Sequence, residues 1–265
     1  MEFGNESDIR QPAVAGLFYP QSASQLKTMV EKFLDAATVI KTINPNKIKA
    51  LIVPHAGYIY SGPTAASAYK YLQKIKTKPQ KIILIGPSHQ VAINEFVFTN
   101  LKYWETPLGK VELIPPPRNY PINNLAFQYE HSLEVQLPFL QTILPSFKIL
   151  PILINDNVFA KKLTQFLFSI FDSQTIIIIS SDLSHYYPLE LAEKIDSNCH
   201  KAILQLNIEE IKHIEACGQA GILAVALLAR KMNWQTHLVQ YQTSYNETGD
   251  SSNVVGYGAY LFTEK

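Results

Sequence analysis

The segment Thr175-Ile176-Ile177-Ile178-Ile179-Ser180-Ser181-Asp182-Leu183-Ser184-His185 decides how this chain folds. Its isoleucine run does not alternate with polar residues, which marks a strand covered on both faces, as parallel strands of α/β proteins are. The pattern recurs upstream as Ile82-Ile83-Leu84-Ile85-Gly86-Pro87-Ser88-His89 and as Leu51-Ile52-Val53-Pro54-His55. Each buried strand runs straight into a histidine. Ligand crevices of open α/β sheets lie beyond the carboxyl ends of the parallel strands. If these strands are parallel neighbours, His55, His89, Asp182 and His185 can share one pocket.

Outward from these segments, further strands are expected at residues 96–99, 111–114, 148–154 and 254–262. Helical periodicity covers residues 24–37, 62–74, 132–144, 158–171, 189–206 and 218–231. The alternation predicts an α/β fold with helices on both faces of a mainly parallel central sheet. No repeat or Gly/Ser linker interrupts the 265 residues, and Pro115-Pro116-Pro117 is too short to separate domains, so residues 1–265 are read as one domain.

Composition sets the outer bounds. Apolar residues make up 47% and charged residues 17%, against about 25% charged in an average soluble protein, which excludes disorder and coiled coil. The 23 Lys+Arg against 22 Asp+Glu leave no basic excess for a nucleic-acid partner. Two cysteines, Cys199 and Cys217, are too few for a disulfide framework and fit a reducing, cytoplasmic setting. Residues 1–11 lack the basic start and apolar stretch of a secretory signal. The longest helical apolar run, residues 221–229, is roughly half of what crosses a bilayer, so no membrane is expected.

The strand-end residues point to metal chemistry, because imidazole suits first-row transition metals and two histidines with one anionic ligand leave coordination positions open. Tyr58 and Tyr60, which follow His55, either line the pocket or pack on the core of a tight strand-to-helix turn. Asp182 and His185 either handle protons, with His185 as general base, or serve the exposed strand-end amides and water. In Glu130-His131-Ser132-Leu133-Glu134-Val135-Gln136-Leu137-Pro138, capping by Ser132 and a first-turn position for Glu134 are structural explanations, leaving Glu130 and His131 as pocket candidates. Cys217 is open to three roles: metal ligand, nucleophile or small apolar filler; the helix after it would favour the thiolate. Cys199 is read as filler, and His200, His213 and His237 as packing or surface residues. The polar residues 244–253 either cover the pocket or simply connect elements.

Taken together, Pro12-Ala13-Val14-Ala15-Gly16-Leu17-Phe18-Tyr19-Pro20, Val53-Pro54-His55-Ala56-Gly57-Tyr58, Gly86-Pro87-Ser88-His89, the Glu130 to Pro138 segment and Ser180-Ser181-Asp182-Leu183-Ser184-His185-Tyr186 resemble the Memo family, also called AmmeMemoRadiSam system protein B. The resemblance runs from Pro12 to Gly258. It implies a single-domain three-layer α/β/α sandwich related to the LigB-type extradiol dioxygenases, which use non-heme iron(II). It places metal positions on His55, His89 and Cys217, and the base of the dioxygenase relatives on His185, with Asp182 beside it. Where those relatives complete their site with a carboxylate, this chain has Cys217, and a softer thiolate favours copper or alters iron redox behaviour. The resemblance therefore does not carry ring cleavage over together with metal binding. Gln219 and Ala220 differ from the basic residue and histidine of the eukaryotic branch, which makes eukaryotic signalling roles less transferable.

The leading expectation is a redox-active metalloprotein or oxidoreductase holding iron or copper, with zinc behind them. The alternative is a non-catalytic module that binds a peptide or phosphopeptide in the same pocket; it ranks second because the nearest basic residues are Lys102, Lys110 and Arg118. Metal-assisted hydrolysis with zinc is the third. The ligand is expected to be a small molecule or peptide, and the family name implies a functional association with a radical-SAM protein.

Overall fold

The computed structural model describes residues 8–265; residues 1–7, part of the stretch read as lacking a secretory signal, lie outside the described residues. The strands are β1 (Ile9–Arg10), β2 (Ile48–Val53), β3 (Lys81–Gly86), β4 (Tyr103–Thr106), β5 (Gly109–Leu113), β6 (Lys148–Leu153), β7 (Thr175–Ser180), β8 (His185–Tyr187), β9 (Trp234–Thr243) and β10 (Val254–Glu264). They join in one sheet of order β1-β4-β5-β6-β3-β7-β2-β10-β8, with β9 pairing β10. The central run from β5 to β2 is parallel throughout. Its expected strands therefore exist, and their fully buried isoleucines and leucines line both faces.

Helices α1 (Ala23–Ala36), α2 (Tyr58–Lys74), α3 (Asn124–Gln128) and α4 (Leu137–Ile143) belong to one layer. Helices α5 (Ala160–Ile170), α6 (Leu189–Leu204), α7 (Ile208–Ile211) and α8 (Gln219–Lys231) belong to the other. The short α9 (Tyr245–Thr248) lies in the polar stretch before β10. Each side of the sheet carries its own core: Leu51, Val53, Leu84 and Ile178 join Leu26, Val30, Leu72 and Leu140 on one side. Ile52, Ile85, Ile177 and Ile179 join Leu163, Ile203 and Val225 on the other. The α1 stripe of Leu26, Val30 and Leu34 recurs every four residues, the spacing that gives a helix one apolar face.

Several sequence expectations are corrected. Residues 96–99 make isolated bridges, Val97 to Leu153 and Phe98 to Ile122, instead of a strand. The helix expected over residues 132–144 begins as a single tight turn, Glu134–Gln136, before α4. Strand β9 escaped notice because Gln, Thr and His interrupt its apolar positions; it is held by ladder pairing along β10.

The registry positions the site. Val53 pairs with Ser180 and Ile85 with Ile179, so β2, β7 and β3 end side by side. The β2 to β3 connection passes through α2 on one face, and the β6 to β7 connection through α5 on the other. Such a divergence opens a crevice beyond the strand ends. His55, His89 and Asp182 emerge there.

Candidate metal centre

Two glycines let other segments close over these strand ends. A Cβ on Gly86 would sit 2.7 Å from Leu133 Cδ2 and 3.0 Å from Ser132 Oγ, so its absence admits the segment bearing Glu130 and His131. A Cβ on Gly218 would sit 2.7 Å from the Ser180 carbonyl oxygen, so its absence lets Cys217 reach the end of β7. That docking is hydrogen-bonded: Cys217 N–H donates to the Asp182 carbonyl at 3.2 Å, and Gly218 N–H to Ser181 Oγ at 2.9 Å.

The result is a compact histidine cluster. Ligand atoms of His55, His89 and His131 all lie within 4.8 Å of one another, an arrangement able to hold a metal ion. The His89 and His131 rings stack at 4.7 Å, and His55 meets both edge-on at 5.2 and 5.4 Å. His131 also packs on Phe18 at 4.7 Å.

Hydrogen bonds orient the rings. Ser180 Oγ donates its proton to the Ser132 carbonyl at 2.6 Å and accepts from Gln136 Nε2 at 2.8 Å. Its remaining capacity is as an acceptor, so His55 Nδ1–H donates to it at 2.9 Å, which makes Nε2 the lone-pair nitrogen, facing Cys217 Sγ. His89 Nδ1 lies 2.9 Å from Glu130 Oε1, and His131 Nδ1 lies 3.4 Å from the same oxygen. A carboxylate holding the far nitrogen of an imidazole fixes its tautomer and raises its basicity as a ligand. Burial raises the Glu130 pKa, but the His89 ring and the His89 and Ser132 amides outweigh it and hold the carboxyl at about 2. Burial, followed by the neighbouring His131 and His89, pushes the His55 pKa well below its usual value. Burial likewise lowers the His131 pKa, and in both rings this favours the neutral form that metal ligation requires.

Cys217 Sγ lies 3.2 Å from His55 Nε2 and accepts the Asp182 N–H at 3.1 Å. Burial and then the Asp182 charge push its thiol pKa up, so the expectation of a thiolate favoured by the helix N-terminus is corrected. Asp182 is buried, and its Oδ1 accepts the His55 N–H at 2.7 Å; burial raises its pKa. His185 opens β8, half-buried and outside the histidine triad; its charge acts on both Asp182 and His55.

Tyr58 takes the second of the two places open to it, and Ser132 a place different from the expected one. The Tyr58 hydroxyl donates to the Val135 carbonyl at 2.5 Å and its ring packs on Tyr19 and Phe139, so its polar group is committed to the core. Ser132 caps no helix; its hydroxyl donates to the Pro87 carbonyl at 3.1 Å. Sequence reasoning missed Ser180 and Gln136 as the holders of His55, and missed the buried Arg10–Glu134 ion pair at 2.6 Å. That pair joins residues far apart in the chain and has no local signal.

A mixed, mostly parallel α/β sheet with a buried histidine cluster at its strand ends defines the class, a protein with a preformed polar centre able to hold a metal ion. Residues 10–261 match the family model described as Memo-like protein, and the chain belongs to the Memo family. It is similar to a MEMO1 family protein of Aquifex aeolicus, 38% identical with 96% of this chain and 99% of that protein covered. Similar relatives occur in Sulfurisphaera tokodaii, at 37% identity covering 94% and 97%, and in Methanococcoides burtonii, at 36% covering 96% and 99%. A solved structure of an uncharacterized protein from Escherichia coli K12 aligns with a TM-score of 0.46 and 10% identity, covering 81% of this chain and 100% of that one.

Proposed function

We propose that this chain is a redox-active metalloprotein whose ion is held by His55 and His89, with His131 and Cys217 completing the set. The observation that carries this reading is the triad itself: three imidazoles converge while their other nitrogens are turned to Ser180 or Glu130. The donor set fits a transition metal, since imidazole and thiolate suit iron and copper. Bound by these residues, iron or copper would supply one-electron chemistry. Cys217 contributes as a thiolate once metal binding displaces its proton.

The other residues manage protons. Asp182 is fixed by the His55 amide, and both His185 and His131 act on its carboxylate. His185 accepts a proton from a ligand in the pocket and returns it, while Asp182 holds the resulting imidazolium in place. The charges that act on His55, His131 and Asp182 come from histidine, glutamate and aspartate side chains. Such surroundings suit a metal cation better than a phosphorylated peptide, which places the peptide-binding alternative second.

The test is oxygen consumption by protein loaded with iron(II) or copper, with ascorbate as electron donor. Loaded protein consumes oxygen faster than the same ion free in buffer, and His185→Gln slows it at least tenfold with metal content unchanged. Consumption equal to that of the free ion contradicts the redox assignment.

A further inference from the structure

The two sides of this centre differ in how their polar groups are used. On the histidine side, the groups are tied to the protein: Nδ1 of His55 to Ser180, Nδ1 of His89 to Glu130, and the Tyr58 hydroxyl to Val135. On the β8–β10 side they are not, and Tyr257 is the clearest case.

Tyr257 stands on β10, where the strand runs antiparallel beside β2. Tyr260 pairs with Ile52, so Tyr257, three residues earlier, lies level with the point where β2 leaves for His55. The neighbouring Gly256 grips the loop after Asp182 from both sides: its carbonyl accepts Leu183 N–H at 2.8 Å, and its N–H donates to the Ser184 carbonyl at 2.9 Å. Val255 pairs with His185. Tyr257 is only 2% exposed, yet its phenol makes no hydrogen bond to any described residue. Its oxygen is also not among the sealed polar atoms without partners, which are Trp104 Nε1, Asn157 Oδ1, Ser184 Oγ and His200 Nε2. The groups whose charges act on the phenol are Asp182, Tyr60 and Tyr186. Burial, then Asp182, keeps it protonated, so it is a donor.

The ring is buried while the oxygen keeps accessible surface and no protein partner claims it, so the hydroxyl is available to a bound molecule. The geometry points to Tyr257 as a ligand-binding residue whose hydroxyl donates to an oxygen of a molecule bound beside Asp182 and the His55 end of β2. This rests on the metal-centre reading and deepens it by assigning a ligand subsite and its chemistry. Tyr186 supports the same subsite: it follows His185 with a left-handed φ of +61° and its ring meets the His185 ring at 5.8 Å, although the side chain is 72% exposed. Bulky residues adopt that backbone region rarely, and where they do the surroundings usually impose it. Phenols, imidazole and the Asp182 carboxylate together suit a small oxygen-bearing organic ligand, whereas a phosphate would face Asp182 without a cation.

The experiment titrates acetohydroxamate, a small ligand with two adjacent oxygens, into cobalt(II)-loaded protein and follows visible absorption. Tyr257→Phe is expected to raise the Kd about fivefold to tenfold, consistent with loss of one hydrogen bond, while binding cobalt as wild type does. Tyr58→Phe, whose hydroxyl serves the core, leaves the Kd within twofold. A Tyr257→Phe Kd within twofold of wild type overturns the inference, as does loss of cobalt by that variant or inorganic phosphate binding more tightly than acetohydroxamate. Failure of the wild type to take up cobalt overturns the metal-centre reading and this inference with it.

Discussion

Glu134 is fully buried and accepts from Arg10 Nη1 at 2.6 Å, Ala13 N–H at 2.8 Å, Val14 N–H at 3.1 Å and Tyr19 Oη–H at 2.6 Å. Arg10 in turn donates to the carbonyl of Glu130, the residue that orients His89. This one carboxylate therefore fastens residues 10–19, including the Phe18 that packs on His131, to the metal centre. Removing one member of a buried ion pair leaves the other charge uncompensated, which typically costs about 3–5 kcal/mol. Glu134→Ala is expected to lose that much in a denaturant melt; a change under about 1 kcal/mol contradicts the assignment. His200 offers a test of a different kind. Burial lowers its pKa to about 4 while Nδ1 meets the Tyr260 hydroxyl at 2.6 Å. The unfolded chain then binds a proton that the native state refuses, so stability falls as pH drops from about 6.5 to 4. The His200 share of that fall is roughly 3 kcal/mol, and His200→Gln should flatten the acid side of the stability profile. An unchanged profile would contradict it. None of these long-range pairings is visible in sequence, because each joins residues whose neighbours give no hint of the partner.

At the scale of elements, the sheet was the legible part. Runs such as Ile82 to Ile85 and Ile176 to Ile179 fit only a doubly covered strand, but the order that sets β2, β7 and β3 side by side comes from the ladder registers, which no local pattern encodes. Short or polar elements were not legible. Strand β1 has two residues and β8 has three, too few to show a period, and β9 carries its apolar residues among glutamines and threonines. Cys217 illustrates a different limit. The sequence shows a cysteine before a helix, but its pKa depends on the carboxylate and the burial that the fold brings to it. Its approach depends on Gly218, where an added Cβ would meet backbone oxygen at 2.7 Å, an atom that cannot swing away. Overpacking of this kind costs about 1–3 kcal/mol. Gly218→Ala should therefore lower stability by that amount in a thermal melt and separate Cys217 from His55; a variant as stable as wild type would show that the segment shifts freely.

Over the whole molecule, the sheet separates two cores and leaves one polar crevice at the ends of its parallel strands. The layer of α1, α2 and α4, with the segment from Arg10 to Pro20, braces the histidine side; β8 and β10 frame the side where His185 and Tyr257 retain unused polar groups. No helix among the described residues is long and apolar enough to cross a membrane. The most direct test is elemental analysis of protein purified without a metal-binding tag and reconstituted anaerobically, beside His55→Ala, His131→Ala and Cys217→Ser prepared in parallel. The account predicts about one iron or copper ion per wild-type chain and less than about a tenth of that in His55→Ala, because preoriented imidazoles supply the affinity. Wild-type protein that takes up no metal, or His55→Ala that keeps its full content, would contradict it.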